Sequence, residues 1–200
     1  DKEFNLKEAM HTRAYWILTL SWFAWAAIAT AITFNLLPIF TAKGLSEGQA
    51  AASFTILMVA SAIFQIVGGV VADRVQLRWM AFAALGLYGL AIGALIYIPV
   101  GAVILFYTLI LGLAQGLWGG LGHTVWVRSF GREHLGKIRG SVWTASVLGS
   151  SIGPFLMGIC YDLSGDFFIS LAGFAVILFG LAVAGIWATP PKTSKLLITK

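Results

Sequence analysis

The chain has 200 residues, 59% hydrophobic and only 10% charged, with a mean hydropathy of +0.89; an ordinary soluble domain, with about 25% charged residues, is excluded. A net charge of +5 and a pI of 9.6 would suit a nucleic-acid binder only if the cations lined one surface; here they fall in gaps between apolar runs, and no nucleic-acid partner is expected. Runs free of Asp, Glu, Lys and Arg cover 14–42, 48–72, 79–127, 140–161 and 167–191.

A membrane-spanning helix needs roughly 20 mostly apolar residues at ~1.5 Å rise each. The run 79–127 would reach about 73 Å as one helix, and Pro99-Val100-Gly101 divides it. Six spans result, at about 14–39, 46–72, 79–98, 101–127, 138–161 and 167–189, in one unit covering 1–200. The runs are continuously apolar and do not alternate every second residue, so helices are expected and barrel strands are not. The predicted class is an all-α protein with six transmembrane helices.

In chain order, Asn5-Leu6-Lys7-Glu8 has capping-box spacing, and the first span runs to about Pro38. Ser46-Glu47-Gly48-Gln49 repeats the cap pattern and opens the second span. That span ends in Gly69-Val70-Val71-Ala72-Asp73-Arg74, with Arg78 beyond, a charged knot between two runs of membrane length. The third span is nearly featureless apart from Tyr88, and the fourth is crowded with glycine. A basic loop, Arg128 to Arg139, leads into the fifth span, which Tyr161-Asp162 closes. Asp166 is placed to cap the sixth, and Thr189-Pro190-Pro191 to stop it.

With six spans, both termini share one side. Of the 13 Lys and Arg residues only Lys43 lies opposite, which puts the termini in the cytoplasm of a cell membrane. Cys160 is the single cysteine, so neither an internal disulfide nor a cysteine-built metal site can form; no metal or cofactor is expected. The chain opens without an initiator Met or a signal-peptide layout, and a longer parent is expected.

A repeat lies under this pattern. Gly69, Asp73 and Ser61 recur at one spacing of 89 residues as Gly158, Asp162 and Ser150. Three spans intervene, so the second copy is upside down, a 3+3 inverted repeat.

Gly69, Asp73, Arg74 and Arg78 fit the G-x-x-x-D-R loop signature of the major facilitator superfamily; Gln76 and Leu77 stand where that pattern continues with Gly and a basic residue. Phe130-Gly131-Arg132 with Gly136 and Gly140, Gly149-x-x-x-Gly153-Pro154-x-x-x-Gly158 and Tyr161-Asp162-x-x-Gly165 extend the resemblance from about Asn5 to Pro191. Together they resemble the carboxyl-terminal six-helix half of such a carrier, most closely its monocarboxylate and organic-anion branch. The resemblance implies a secondary transporter, symporter or antiporter, that moves a small organic solute (a carboxylate among the candidates) by alternating access. Its partners would be the solute, the lipid bilayer and an amino-terminal six-helix half. It also implies that the first, second, fourth and fifth spans face the cavity.

Residue types suit that role. Gly112, Gly116, Gly149, Gly153 and Gly158 let helices approach closely, and Pro154 permits a bend. Asp73 and Arg74 are expected to latch a helix terminus or a charge of the other half. Candidate cavity residues are Thr30, Thr33, Ser61, Gln65, Gln115, Trp143, Ser146 and Ser150. The plainer account of the hydroxyls and amides is hydrogen bonding between helices, since polar groups in hydrocarbon need partners. No span holds an Asp, Glu, Lys or Arg, and Ser61 and Gln65 are neutral where monocarboxylate carriers often place a charged pair. His123, one turn from the cytoplasmic end, reads as an interfacial histidine. Gly149-Ser150-Ser151-Ile152-Gly153 matches a serine-hydrolase motif, but no histidine lies at its depth, so no enzyme is expected. The remaining alternative is a scaffold or receptor-like protein of the same fold that binds without transporting.

Overall fold

A computed structural model describes residues 3–99 and 102–188. Every regular element among them is helical: α1 (Leu6–Met10), α2 (Arg13–Ala42), α3 (Glu47–Arg74), α4 (Leu77–Tyr97), α5 (Ala102–Phe130), α6 (Leu135–Ser164) and α7 (Phe168–Gly185). Helices α2 to α7 are each long and apolar enough to cross a membrane, so the chain is an integral membrane protein.

Local chemistry sets the starts. Asn5 with Glu8 and Ser46 with Gln49 both close as capping boxes, and Thr12 caps α2 by accepting the Tyr15 N–H. Several ends differ from expectation. Helix α2 passes through Pro38 and stops at Ala42, because leaving the helix there would strand more backbone groups than the one donor that proline lacks. Asp166 is not the N-cap of α7; that place belongs to Phe167, while the Asp166 carboxylate accepts the Phe168 N–H at 2.9 Å. Helices α3 to α6 overrun the charge-free runs at one or both ends, since their termini carry charged residues outside the hydrocarbon. The proposed stop at Thr189-Pro190-Pro191 lies outside the described residues.

The helices pack mainly as three pairs, α3 with α5, α2 with α6 and α4 with α7. A Cβ on Gly112 would sit 2.6 Å from the Cβ of Ala60, and one on Gly116 would sit 2.6 Å from that of Phe64. On the other seam, Gly149 lies against the Phe23 carbonyl and Gly153 against the Ala27 carbonyl. A shift of 89 residues carries Phe23 and Ala60 onto Gly112 and Gly149, and carries Ala27 and Phe64 onto Gly116 and Gly153. The two seams are therefore one contact used twice, in opposite senses across the membrane. Gly158 and Gly69 differ from these four: a Cβ at either would meet no atom within 4 Å, so packing within this chain does not require glycine there.

The segment before α2 is tied to the loop between α5 and α6. The Phe4 N–H donates to the Phe130 carbonyl at 3.0 Å, and the two rings meet edge to face at 6.0 Å. Gly131 turns with φ 86°, a left-handed value, and beyond it the N–H groups of Arg132 and Glu133 both donate to the Glu3 carboxylate, at 2.9 and 2.8 Å.

Candidate functional site

Near the end of the bundle where α5 passes into α6, the two seams diverge and leave a pocket of about 200 Å3. Trp22 and Trp25 reach it from α2, Gln65 from α3, Gly119, Gly122, His123 and Trp126 from α5, and Arg139, Val142, Trp143 and Ser146 from α6. Helical spacing puts these residues on common faces: 22 and 25, 119, 122, 123 and 126, and 139, 142, 143 and 146 recur every three or four positions.

Glycine on α5 makes the room. The Trp22 ring lies over Gly122, where no Cβ would fit, and a Cβ on Gly119 would press on the Gln65 side chain at 3.3 Å. Trp22 is held further by Trp25, edge to face at 5.5 Å, and by Trp118 at 5.2 Å. Trp126 stacks on Phe130 at 6.1 Å, which connects the pocket wall to the ring that Phe4 touches.

Polar groups come from both pairs, Gln65 and His123 from α3 and α5, Arg139 and Ser146 from α6. Gln65 Nε2 and His123 Nε2 are 3.2 Å apart. With the amide N–H donating, the imidazole Nε2 accepts; turning the amide presents its oxygen to the tautomer that carries its proton on Nε2. Ser146 is buried and donates to the Val142 carbonyl at 3.0 Å. Arg139 is half-buried.

Gln65, Trp143 and Ser146 of the expected cavity residues line the pocket. Ser61 and Gln115 meet each other instead: the Ser61 hydroxyl, which donates to the Leu57 carbonyl at 2.8 Å, lies 3.3 Å from the Gln115 amide, and Gln115 Nε2 donates to the buried Tyr88 hydroxyl at 3.4 Å. This chain of contacts links α3, α5 and α4, and is the interhelical bonding that polar groups in hydrocarbon require. Ser150 donates to the Val147 carbonyl at 2.8 Å, and Thr30 and Thr33 are half-buried; none of the three lines the pocket. Trp25, Gly122, Arg139 and Val142 were not foreseen as lining it, nor was His123, which by position reads as interfacial. The spacing of Arg139 with Trp143 and Ser146 was the available signal, and its place at the end of a basic loop hid it.

Asp73 and Arg74 are exposed at the end of α3. The Arg78 guanidinium donates twice to Gln76 Oε1, at 3.0 and 2.8 Å, and lies over the Trp79 ring at 5.6 Å. The cation that closes this helix is one the sequence did not single out. Arg128 of α5 donates to the Ala72 carbonyl at 2.7 Å, satisfying a terminal acceptor of α3.

The family model described as Major Facilitator Superfamily matches residues 14–199. The curated 2-nitroimidazole transporter of Escherichia coli (strain K12) is 28% identical over 193 residues, which is 92% of this chain and 48% of that protein. The chain thus spans about half the length of the curated relative it matches.

Proposed function

From the premise that this chain belongs to the Major Facilitator Superfamily, we propose that it is the carboxyl-terminal six-helix half of a secondary carrier for a small organic solute. One observation carries the proposal: the pocket lies between the two seams and is lined from both. Trp22 and Trp143 belong to the α2–α6 seam, and Gln65 and His123 to the α3–α5 seam. Any rocking that shifts one seam against the other changes the shape of the pocket, which is what alternating access asks of a solute site.

The amino-terminal half is the partner; α3 and α6, whose most apolar windows are only 17% and 28% buried within this chain, offer it the most uncovered surface. Both termini are cytoplasmic, which brings the pocket close to the cytoplasmic face. Asp73 and Arg74 engage the other half when that face closes, and Arg128 holds the helix end that carries them. Pro154, which leaves the Ser150 carbonyl without its helical donor, gives α6 a place to bend. The carrier performs no covalent chemistry. The monocarboxylate and organic-anion branch is part of this proposal, and the relative named for 2-nitroimidazole adds small nitro-heteroaromatics to the candidate solutes.

Counterflow in proteoliposomes made with the complete carrier tests the proposal. Vesicles preloaded with organic acids or with 2-nitroimidazole are expected to accumulate labelled solute transiently. Saturable binding without counterflow for any of them would replace the carrier by a receptor-like member of the fold.

A further inference from the structure

Arg139 is the one fixed charge in the pocket wall, and no Asp or Glu lines that wall. The other described arginines are either exposed or, like Arg78, already bonded within the chain. Arg139 is half-buried, and among the described residues no hydrogen bond or ion pair engages its guanidinium. Arg132 and Lys137 of the same loop are exposed and do not line the pocket, so a general excess of loop cations does not account for this placement.

A guanidinium drawn partly out of water favours a partner, and its planar fork matches a planar group with two oxygens. Four tryptophans, Trp22, Trp25, Trp126 and Trp143, line the same pocket, and their indoles suit a flat ring. A cationic ligand is disfavoured by the charge of Arg139. At about 200 Å3 the pocket is smaller than those that take drug-sized ligands, and suits a single ring. On the reading of this pocket as the solute site of the carrier, we infer that Arg139 is its specificity-determining residue. The ligand is one aromatic ring bearing a planar two-oxygen acceptor, either the carboxylate of an arene acid or the nitro group of a neutral nitroarene.

Equilibrium dialysis of the complete carrier in detergent tests this, with labelled benzoate, a labelled nitrofuran and labelled acetate as probes and empty micelles as blank. Benzoate, the nitrofuran or both are expected to bind saturably, and acetate at least tenfold more weakly, about the factor that one lost partner of 1.4 kcal/mol represents. R139Q should weaken binding by about tenfold or more. R139K, which keeps the charge and loses the fork, should recover benzoate in part and the nitrofuran not at all. It also serves as the reporter should R139Q fail to fold. Dependence of benzoate alone on Arg139 identifies the anion as the ligand form; equal dependence of both identifies the two-oxygen geometry. Wild-type binding by both variants, no binding of either ring compound to the native protein, or acetate bound as well as benzoate would each overturn the inference. Intact Arg139-dependent binding without counterflow would overturn the carrier reading and leave this one standing.

Discussion

Gly153 of α6 lies against the main-chain carbonyl of Ala27 on α2, in a space that no Cβ enters. The same contact recurs between Gly116 and Phe64 one repeat away, so both seams are built on glycine from the second repeat. Gly153→Ala should therefore cost about 1–3 kcal/mol through overpacking. Gly158→Ala, facing open space, should stay within about 0.5 kcal/mol. Thermal unfolding of the two variants in detergent checks the difference; equal melting points would mean that the close approach at Gly153 does not matter to stability.

Arg128 closes the end of α3, and its loss should be felt there before anywhere else. Arg128→Gln removes a charge-assisted bond to the Ala72 carbonyl, a loss of about 1 kcal/mol after discounting for the partly exposed site. Amide exchange in the last turn of α3, up to Arg74, should quicken while α7 is unchanged. A uniform change across the chain would remove Arg128 from this local role.

Glu3 supplies a dependence on pH outside the spans. The N–H groups of Glu133 and then Arg132 hold its carboxyl below the ordinary glutamate value of 4.5. A lowered value in the folded state means that the ionised carboxylate favours docking. The docking contribution is present above pH 4.5 and is lost as the pH falls through the lowered value. Exchange at the Arg132 and Glu133 amides should be protected at pH 7, and that protection, after correction for intrinsic rates, should decline below pH 4.5. Glu3→Gln should lower it at pH 7 and flatten the pH dependence; an unchanged pH profile in that variant would show that another group governs the docking.

Ser61 and Gln65 are one helical turn apart and should behave differently. Ser61 touches Gln115 across the helix pair while bonding the Leu57 carbonyl of its own helix, so Ser61→Ala should cost roughly 0.6 kcal/mol of stability and leave solute affinity as it was. Gln65 lines the pocket and meets His123, so Gln65→Leu should weaken solute binding by about tenfold, near 1.4 kcal/mol. The reverse pattern in parallel binding and melting measurements would exchange the two roles.

These contrasts mark what a single chain discloses. The six spans are legible because hydrocarbon admits few charges, and that exclusion leaves gaps such as Arg74 to Arg78 between the runs. The repeat is legible because Gly69 and Asp73 recur intact at Gly158 and Asp162. The seams are less so, since Phe23, Ala27, Ala60 and Phe64 share no identity with the glycines that replace them; equivalence there is one of position and requires coordinates. Helix ends are blurred because charged residues just outside the apolar runs continue the helix, as at Lys137 of α6 and Arg74 of α3. The pocket is the least legible part. Arg139 and His123 resemble interface residues by position, and only the divergence of α2 and α6 from α3 and α5 turns them inward.

Every functional statement depends on how the six helices thread the bilayer. Lys43, whose amine donates to the Ile96 and Ile98 carbonyls at 3.2 and 3.1 Å, follows α2 at one end of the bundle, and Lys137 follows α5 at the other. Membrane-impermeant thiol labelling of Lys43→Cys and Lys137→Cys, on a Cys160→Ser background in intact cells and inverted vesicles, tests that threading directly. Labelling of position 43 only from outside and of position 137 only from inside is the expected result. Labelling of both from the same side would contradict the threading, and with it the carrier.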